Sequence, residues 1–280
     1  MSSDILTRSS THWSEAGRAG MDAFYTLATD DYRHLAEARD WATWMSEAQS
    51  RAGGRSLRLL DVACGSGKFL NALVRHAGVA EAGLNKIATD LLDPSAFSIA
   101  EARAALPAPF AASAEHETTL QDFTPPPEGY DIVWATHALY AVPAADLPAA
   151  ARRFCNAIGP GGRGVIAHSA AAGHYIEFHR RYLEAFAAAE VAPYISAEVL
   201  AAALRDSGAE VSVTEVRYES VAGPDDTAAV EGYLQRCVFD DSVSLAEMQA
   251  RDPVTEWLTA AQAKDGWRFP QLVHLMDITV

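Results

Sequence analysis

The sequence predicts an α/β fold: a mostly parallel sheet with helices on both faces, carrying an N-terminal helical cap and later helical insertions. Three observations point there. The stretch Leu59-Leu60-Asp61-Val62-Ala63-Cys64-Gly65-Ser66-Gly67-Lys68-Phe69-Leu70 reads as an apolar strand, a tight glycine turn and the start of a helix. From Leu57 onward strand and helix patterns alternate, as they do when crossover helices link parallel strands. A second apolar run, Asp131-Ile132-Val133-Trp134-Ala135, is a buried strand followed at once by the polar Thr136, His137 and Tyr140.

Before the first strand, residues 1–52 carry helical spacing, with Tyr32, Leu35, Ala36, Trp41, Trp44 and Met45 three or four residues apart. They form the expected cap, and Gly53-Gly54 marks the turn into a catalytic unit over 53–280. After the glycine turn a helix is expected from Lys68 to about Ala77. A second strand then ends on Asp90 to Asp93, before a helix opened by Pro94 and Ser95. A short third strand lies within Ala111–Leu120, ahead of Gln121-Asp122-Phe123 and a proline loop. The fourth strand follows, then a helix over about Ala144–Ala157, a Gly-Pro-Gly-Gly turn and a fifth strand, Gly164–Ser169. Residues of about 170–193 are too long for a simple connection and rich in aromatic and imidazole side chains, so they are expected to form a lid. Ser196 and Gly208 bracket a further helix before an alternating sixth strand from Glu210. A helical insertion spans about 224–264, and Phe269–Ile278 is expected as an antiparallel edge strand.

A net charge of −15 argues against nucleic acid, because phosphate contacts need clustered Lys and Arg. The three cysteines have no paired spacing, so neither a disulfide framework nor a zinc site is suggested. No window approaches the ~20 apolar residues of a membrane span. A cytoplasmic protein acting on a small molecule is expected, without membrane or nucleic-acid partner and without metal; the oligomeric state is left open.

The glycine turn carries the first chemical inference. Gly65 and Gly67 let a ligand approach the backbone, and the first N–H groups of the helix supply donors. Asp61 beside them would repel a pyrophosphate but suits an ammonium, which points to an amino-acid-bearing nucleoside. Asp93, at the end of the second strand, can accept from both hydroxyls of a ribose, or can instead cap the following helix. Ligands of open parallel sheets lie beyond the carboxyl ends of the strands, where Thr136, His137 and Tyr140 fall. His137 reads as a general base or as a group that only orients the substrate.

These residues resemble the class I S-adenosylmethionine-dependent methyltransferases, whose first motif is an acidic residue followed by alternating small residues; Ala63 stands where that motif usually has its first glycine. The resemblance implies a Rossmann-like fold with a seven-stranded sheet and S-adenosylmethionine as cofactor. It further implies that Asp61, Ala63, Gly65 and Gly67 meet the cofactor, with Asp93 at the ribose, Gln121, Asp122 and Phe123 at the adenine, and Thr136 beside them. More remotely, the chain is similar to histamine N-methyltransferase and its small-amine relatives, through an aromatic residue before Thr29-Asp30-Asp31, Asp93-Pro94-Ser95, His137-Ala138-Leu139-Tyr140 and Tyr194-Ile195-Ser196-Ala197. That likeness implies substrate contacts from Tyr25 and Asp31, with His174 and Tyr175 contributed by the lid. His137 replaces a glutamine of that family, so histamine itself is not the expected substrate.

Methylation of an amine or hydroxyl in specialised metabolism is therefore expected, with His137 and Tyr140 as the catalytic pair. Two alternatives stand beside it. One is a cyclase that closes a ring from the cofactor's aminobutyrate chain and releases methylthioadenosine; the other is a non-catalytic cofactor-binding regulator.

Overall fold

The computed structural model describes residues 3–186 and 191–280, so the expected lid stretch 187–190 lies outside the described residues. Strands β1 (Arg58–Val62), β2 (Ile87–Asp93), β3 (Phe110–Glu117), β4 (Tyr130–Thr136) and β5 (Ile158–Ser169) pair in parallel in the order β3-β2-β1-β4-β5. Strand β6 (Glu210–Ala222), the two-residue β7 (Gln262–Ala263) and β8 (Gly266–Thr279) complete the sheet, with β8 antiparallel to β5, β6 and β7.

The final strand is not at the edge, as its position in the chain suggested, but between β5 and β6. The physical reason is burial. Val273, Leu275, Met276 and Ile278 are fully buried and occupy both faces of β8, whereas much of β6 is exposed and tolerates an edge. Residues Trp267 to Leu272 pair with β6 beyond the reach of β5, making a ribbon that stands past the carboxyl end of the parallel strands.

Alternating side chains of the central strands feed two cores. Leu60, Val133 and Ile166 pack against α6 (Leu147–Ala157) and α8 (Ala197–Asp206) through Phe154, Leu200 and Leu204. Leu59, Ile132, Trp134 and Val165 pack against α3 (Trp41–Arg51) and α4 (Lys68–His76) through Trp41, Met45, Phe69 and Leu73. Helix α3 thus packs directly on the sheet, because Trp41, Trp44 and Met45 fall on one buried face. Beside α4, over β2 and β3, α5 (Ala96–Ala105) is capped by the Ser95 hydroxyl, which accepts from the Ser98 N–H at 3.2 Å.

A third cluster forms a layer over the carboxyl ends of the strands. It joins α2 (Arg18–Glu37), α7 (His174–Phe186), α9 (Thr227–Val238), α10 (Leu245–Gln249) and α11 (Val254–Ala261) to Trp267 and Phe269 of the ribbon. Ahead of α2 lie α1 (Ser3–His12) and a single 3-10 turn, Glu15–Gly17. Among the described residues no helix is long and apolar enough to cross a membrane.

Candidate active site

A cavity of about 170 Å³ lies between the carboxyl ends of β1, β2 and β4 and this helical layer. Its floor includes Asp61, Ala63, Gly65, Asp93, Gln121, Thr136 and His137; its roof includes Trp13, Phe24, Tyr25, Asp31, Tyr32, Tyr140, Tyr175, Arg236 and Phe239. Among the described residues three non-glycine residues have left-handed backbone, Ala63 (φ 50°), His137 (φ 51°) and Phe239 (φ 51°), and all three line this cavity. Such strain persists only where the surroundings enforce it, and it gathers at functional sites. At His137 the turn is enforced by its N–H, which donates to the Ala167 carbonyl at 2.9 Å.

The glycine turn is held by Asp93. One carboxylate oxygen accepts from the Gly65 N–H at 3.1 Å and the other from the Ser95 N–H at 2.9 Å, so this residue both shapes the turn and braces the start of α5. Asp61 accepts from the indole N–H of Trp134 at 3.0 Å. Burial pushes the Asp61 carboxyl up to about 7, with the Asp93 charge adding to the rise; burial likewise pushes Asp93 up to about 6. Gly67 is not part of the wall: it is the left-handed N-cap of α4, where a Cβ would stand 3.3 Å from Ala102 Cα.

The turn after β3 divides differently from the sequence expectation. Gln121 lines the cavity together with Thr119 and Leu120, but Asp122 and Phe123 do not. Asp122 accepts from the Thr119 hydroxyl at 2.7 Å, and Phe123 is buried in the sheet core with its ring 4.9 Å from that of His116. An apolar ring able to enter a closed core does so in preference to lining a wet cavity.

At the opposite end, Tyr140 and His137 form one unit. The Tyr140 oxygen accepts from the Ser169 N–H at 3.2 Å and is hydrogen-bonded to His137 Nδ1 at 2.8 Å. The other ring nitrogen, Nε2, is buried without a hydrogen-bond partner. Burial, reinforced by His168, lowers His137 to about 3. At neutral pH the ring is therefore uncharged, with one nitrogen a donor and the other an acceptor.

Asp31, on α2, is 1% exposed and accepts from the Tyr175 hydroxyl at 2.5 Å and from Ser220 Oγ at 3.3 Å. Burial raises its carboxyl to about 7 against the lowering effect of these hydroxyls. Tyr25 sits at the glycine turn: Ser66 Oγ donates to its hydroxyl at 3.3 Å, and Lys68 Nζ lies 4.6 Å from its ring centroid. His174, expected at the substrate, is instead buried behind the wall, stacked on Phe178 and Tyr233 with Nε2 3.7 Å from Cys237 Sγ. The imidazoles of this region are core residues, since His168 and His179 are buried as well.

Trp13, Tyr32, Arg236, Cys237 and Phe239 also border the cavity, and sequence reasoning did not select them. For Arg236 a signal was present, a charge set inside the apolar run Tyr233-Leu234-Cys237-Val238. For Trp13 there was none.

The comparisons with known proteins bear on the family and the fold. A family model described as a methyltransferase domain matches residues 32–213. Magnesium protoporphyrin IX methyltransferase of Synechocystis, solved with S-adenosylhomocysteine, superposes with a TM-score of 0.55 at 12% identity, covering 99% of this chain and 100% of that one. The YcgJ protein of Bacillus subtilis gives 0.51 at 12% identity over 80% of this chain and 91% of its own. These structural likenesses concern the fold. No curated protein matches the chain by sequence. With most of the sheet and its glycine turn inside the matched region, the chain belongs to the class I methyltransferases, enzymes whose methyl donor is S-adenosylmethionine.

Proposed function

We propose that the chain methylates a small molecule through an amine, held in the cavity by Asp31 and the aromatic side chains around it. The observation that carries this is Asp31 itself, a buried carboxylate in a wall otherwise built from Phe24, Tyr32, Tyr140 and Tyr175. A buried carboxylate without a counter-charge is costly, and aromatic faces attract cations, so this wall favours an ammonium over a neutral hydroxyl compound.

The donor site fits the residues present. A Cβ at Gly65 would meet only the Tyr25 hydroxyl, at 3.9 Å, so the turn leaves an open cradle. Asp61 and Asp93 put two buried acids beside it, which suits a cationic, amino-bearing nucleoside and not a pyrophosphate. We assign Asp61 and Gly65 to the amino-acid end, Asp93 to the ribose, and Gln121 with Thr119 and Leu120 to the adenine. When bound, the donor supplies a sulfonium-borne methyl group. The chain's own residues align the nucleophile and keep water out, tasks for which the layer of α1, α2, α7 and α9 is suited.

Asp31 binds the amine and, with a carboxyl near 7, can take its proton. We assign the His137 proton to Nε2, because the Tyr140 hydroxyl, which already accepts from Ser169, has Nδ1 as an acceptor for its own proton; His137 then donates from Nε2 to an acceptor atom of the substrate. The charge of −15 favours a small molecule over nucleic acid, and the buried free cysteines suit a reducing cytoplasm.

The test is mass spectrometry of the purified chain with S-adenosylmethionine and a panel of small amines beside the corresponding alcohols. Methylated amine together with S-adenosylhomocysteine is expected. One observation favours a second reaction: Asp31 shares its cavity with the Asp61–Gly65 turn, so a proton-accepting group borders the site assigned to the donor's own amine. Methylthioadenosine with no methylated acceptor would replace the first proposal by that one.

A further inference from the structure

We propose that Arg236 is the anion-binding group of this cavity and pairs with the carboxylate of an amino-acid moiety in the bound ligand. This rests on the cavity being the ligand site. Arg236 lies on α9, is 2% exposed and borders the cavity. Its guanidinium donates to the carbonyls of His12 and Gly17, the latter at 2.9 Å, and lies 5.3 Å from the Trp13 ring centroid. Its Nε is buried without a partner.

Among the described residues no carboxylate forms an ion pair with it. The acid whose field reaches it most strongly, Asp241, is exposed and lies 3.4 Å from His12 Nε2 instead. Two carbonyls and an indole face satisfy part of the guanidinium, but among the described residues no carboxylate lies against its charge. The fork has five N–H donors and matches a carboxylate with two parallel hydrogen bonds, so a ligand carboxylate supplies both missing elements, counter-charge and acceptors.

The cavity also carries both signs of charge. Asp31, Asp61 and Asp93 border it as acids, while Arg236 and Lys68, which lies over the Tyr25 ring, border it as cations. A ligand carrying ammonium and carboxylate on one carbon matches both sets; an amine alone leaves Arg236 unanswered. The moiety has two sources, the amino-acid end of the donor or an amino-acid acceptor.

Calorimetric titration of the full chain tests this without turnover, using S-adenosylhomocysteine, its carboxamide and methylthioadenosine. If the donor supplies the carboxylate, the wild type prefers S-adenosylhomocysteine over the carboxamide by tenfold or more. Arg236→Gln abolishes that preference while binding methylthioadenosine as before. If the acceptor supplies it, S-adenosylhomocysteine binding is unchanged in the variant. The chain saturated with S-adenosylhomocysteine then binds at least one amino acid over its amide, a preference lost in Arg236→Gln. Arg236→Lys, which keeps charge and one donor point, retains part of either preference and serves where the Gln variant does not fold. Equal binding of every acid and its amide by the wild type overturns the proposal. Failure of the wild type to bind S-adenosylhomocysteine or methylthioadenosine overturns the site assignment along with it.

Discussion

The Tyr175 hydroxyl donates a 2.5 Å hydrogen bond to Asp31 Oδ2, tying α7 to α2 across the roof of the cavity, while Ser220 of β6 reaches the other oxygen at 3.3 Å. Two distant segments, α7 and β6, thus hold one carboxylate of α2 in place. Asp31→Asn keeps an acceptor for Tyr175 but removes the charge. Its KM for the amine should rise about tenfold or more, the loss of a charge-assisted contact, with donor affinity unchanged by calorimetry.

The same carboxylate should govern the pH profile. With Asp31 near 7 and His137 near 3, the form of the free enzyme that accepts a proton from the amine grows as pH rises through 7. The profile of log kcat/KM is expected to climb to a plateau above that pH. Measured at saturating donor, which occupies the Asp61 site, this limb should vanish in Asp31→Asn and persist, at lower absolute rate, in His137→Gln. A limb that moves with His137 instead would make the imidazole the base.

Asp93→Asn tests the glycine turn. Both oxygens of Asp93 accept backbone N–H groups, so the amide nitrogen of Asn would face one of them donor to donor. A loss of about 1–3 kcal/mol in unfolding free energy is expected, with weaker binding of S-adenosylhomocysteine. Unchanged denaturant unfolding would mean that Asp93 does not shape the turn.

His174 offers a stability measurement away from the cavity. Folded, it stays neutral to about 3; unfolded, it takes a proton below its ordinary value of about 6.5. Its depressed folded value means that the stability present above 6.5 is lost as pH falls towards 3. His174→Phe removes this proton uptake and keeps the stack on Phe178 and Tyr233. Relative to wild type, the variant should gain about 2 kcal/mol between pH 7 and pH 5 in urea unfolding.

Ala63 has φ 50°, a backbone that favours glycine. Ala63→Gly relieves roughly 1–2 kcal/mol of left-handed strain and loses about 0.4–1 kcal/mol to the freer unfolded chain. A net gain of about 0.5–1 kcal/mol in thermal unfolding is expected. A destabilised variant would mean that the neighbouring packing needs the methyl group.

Backbone-level features could be read from the sequence, because strand periodicity, turn glycines and crossover order are written in neighbouring residues. Leu59–Leu70 alone marks β1, the turn and α4, and its Asp61 and Gly65 do border the cavity. What local pattern could not decide was which side chains meet. Phe123 and Leu120 look alike in sequence, yet only Leu120 faces the cavity; His174 and Tyr175 are neighbours, yet only Tyr175 does. Trp13, Asp31, Tyr175 and Arg236 come from α7, α9 and the N-terminal segments, and converge only when the third cluster packs over the strand ends. The inner place of β8 likewise depends on what buries its second face. Protonation follows the same division: the sequence supplies a histidine at position 137, but tertiary burial takes it from a group that titrates near neutrality to one that stays uncharged there.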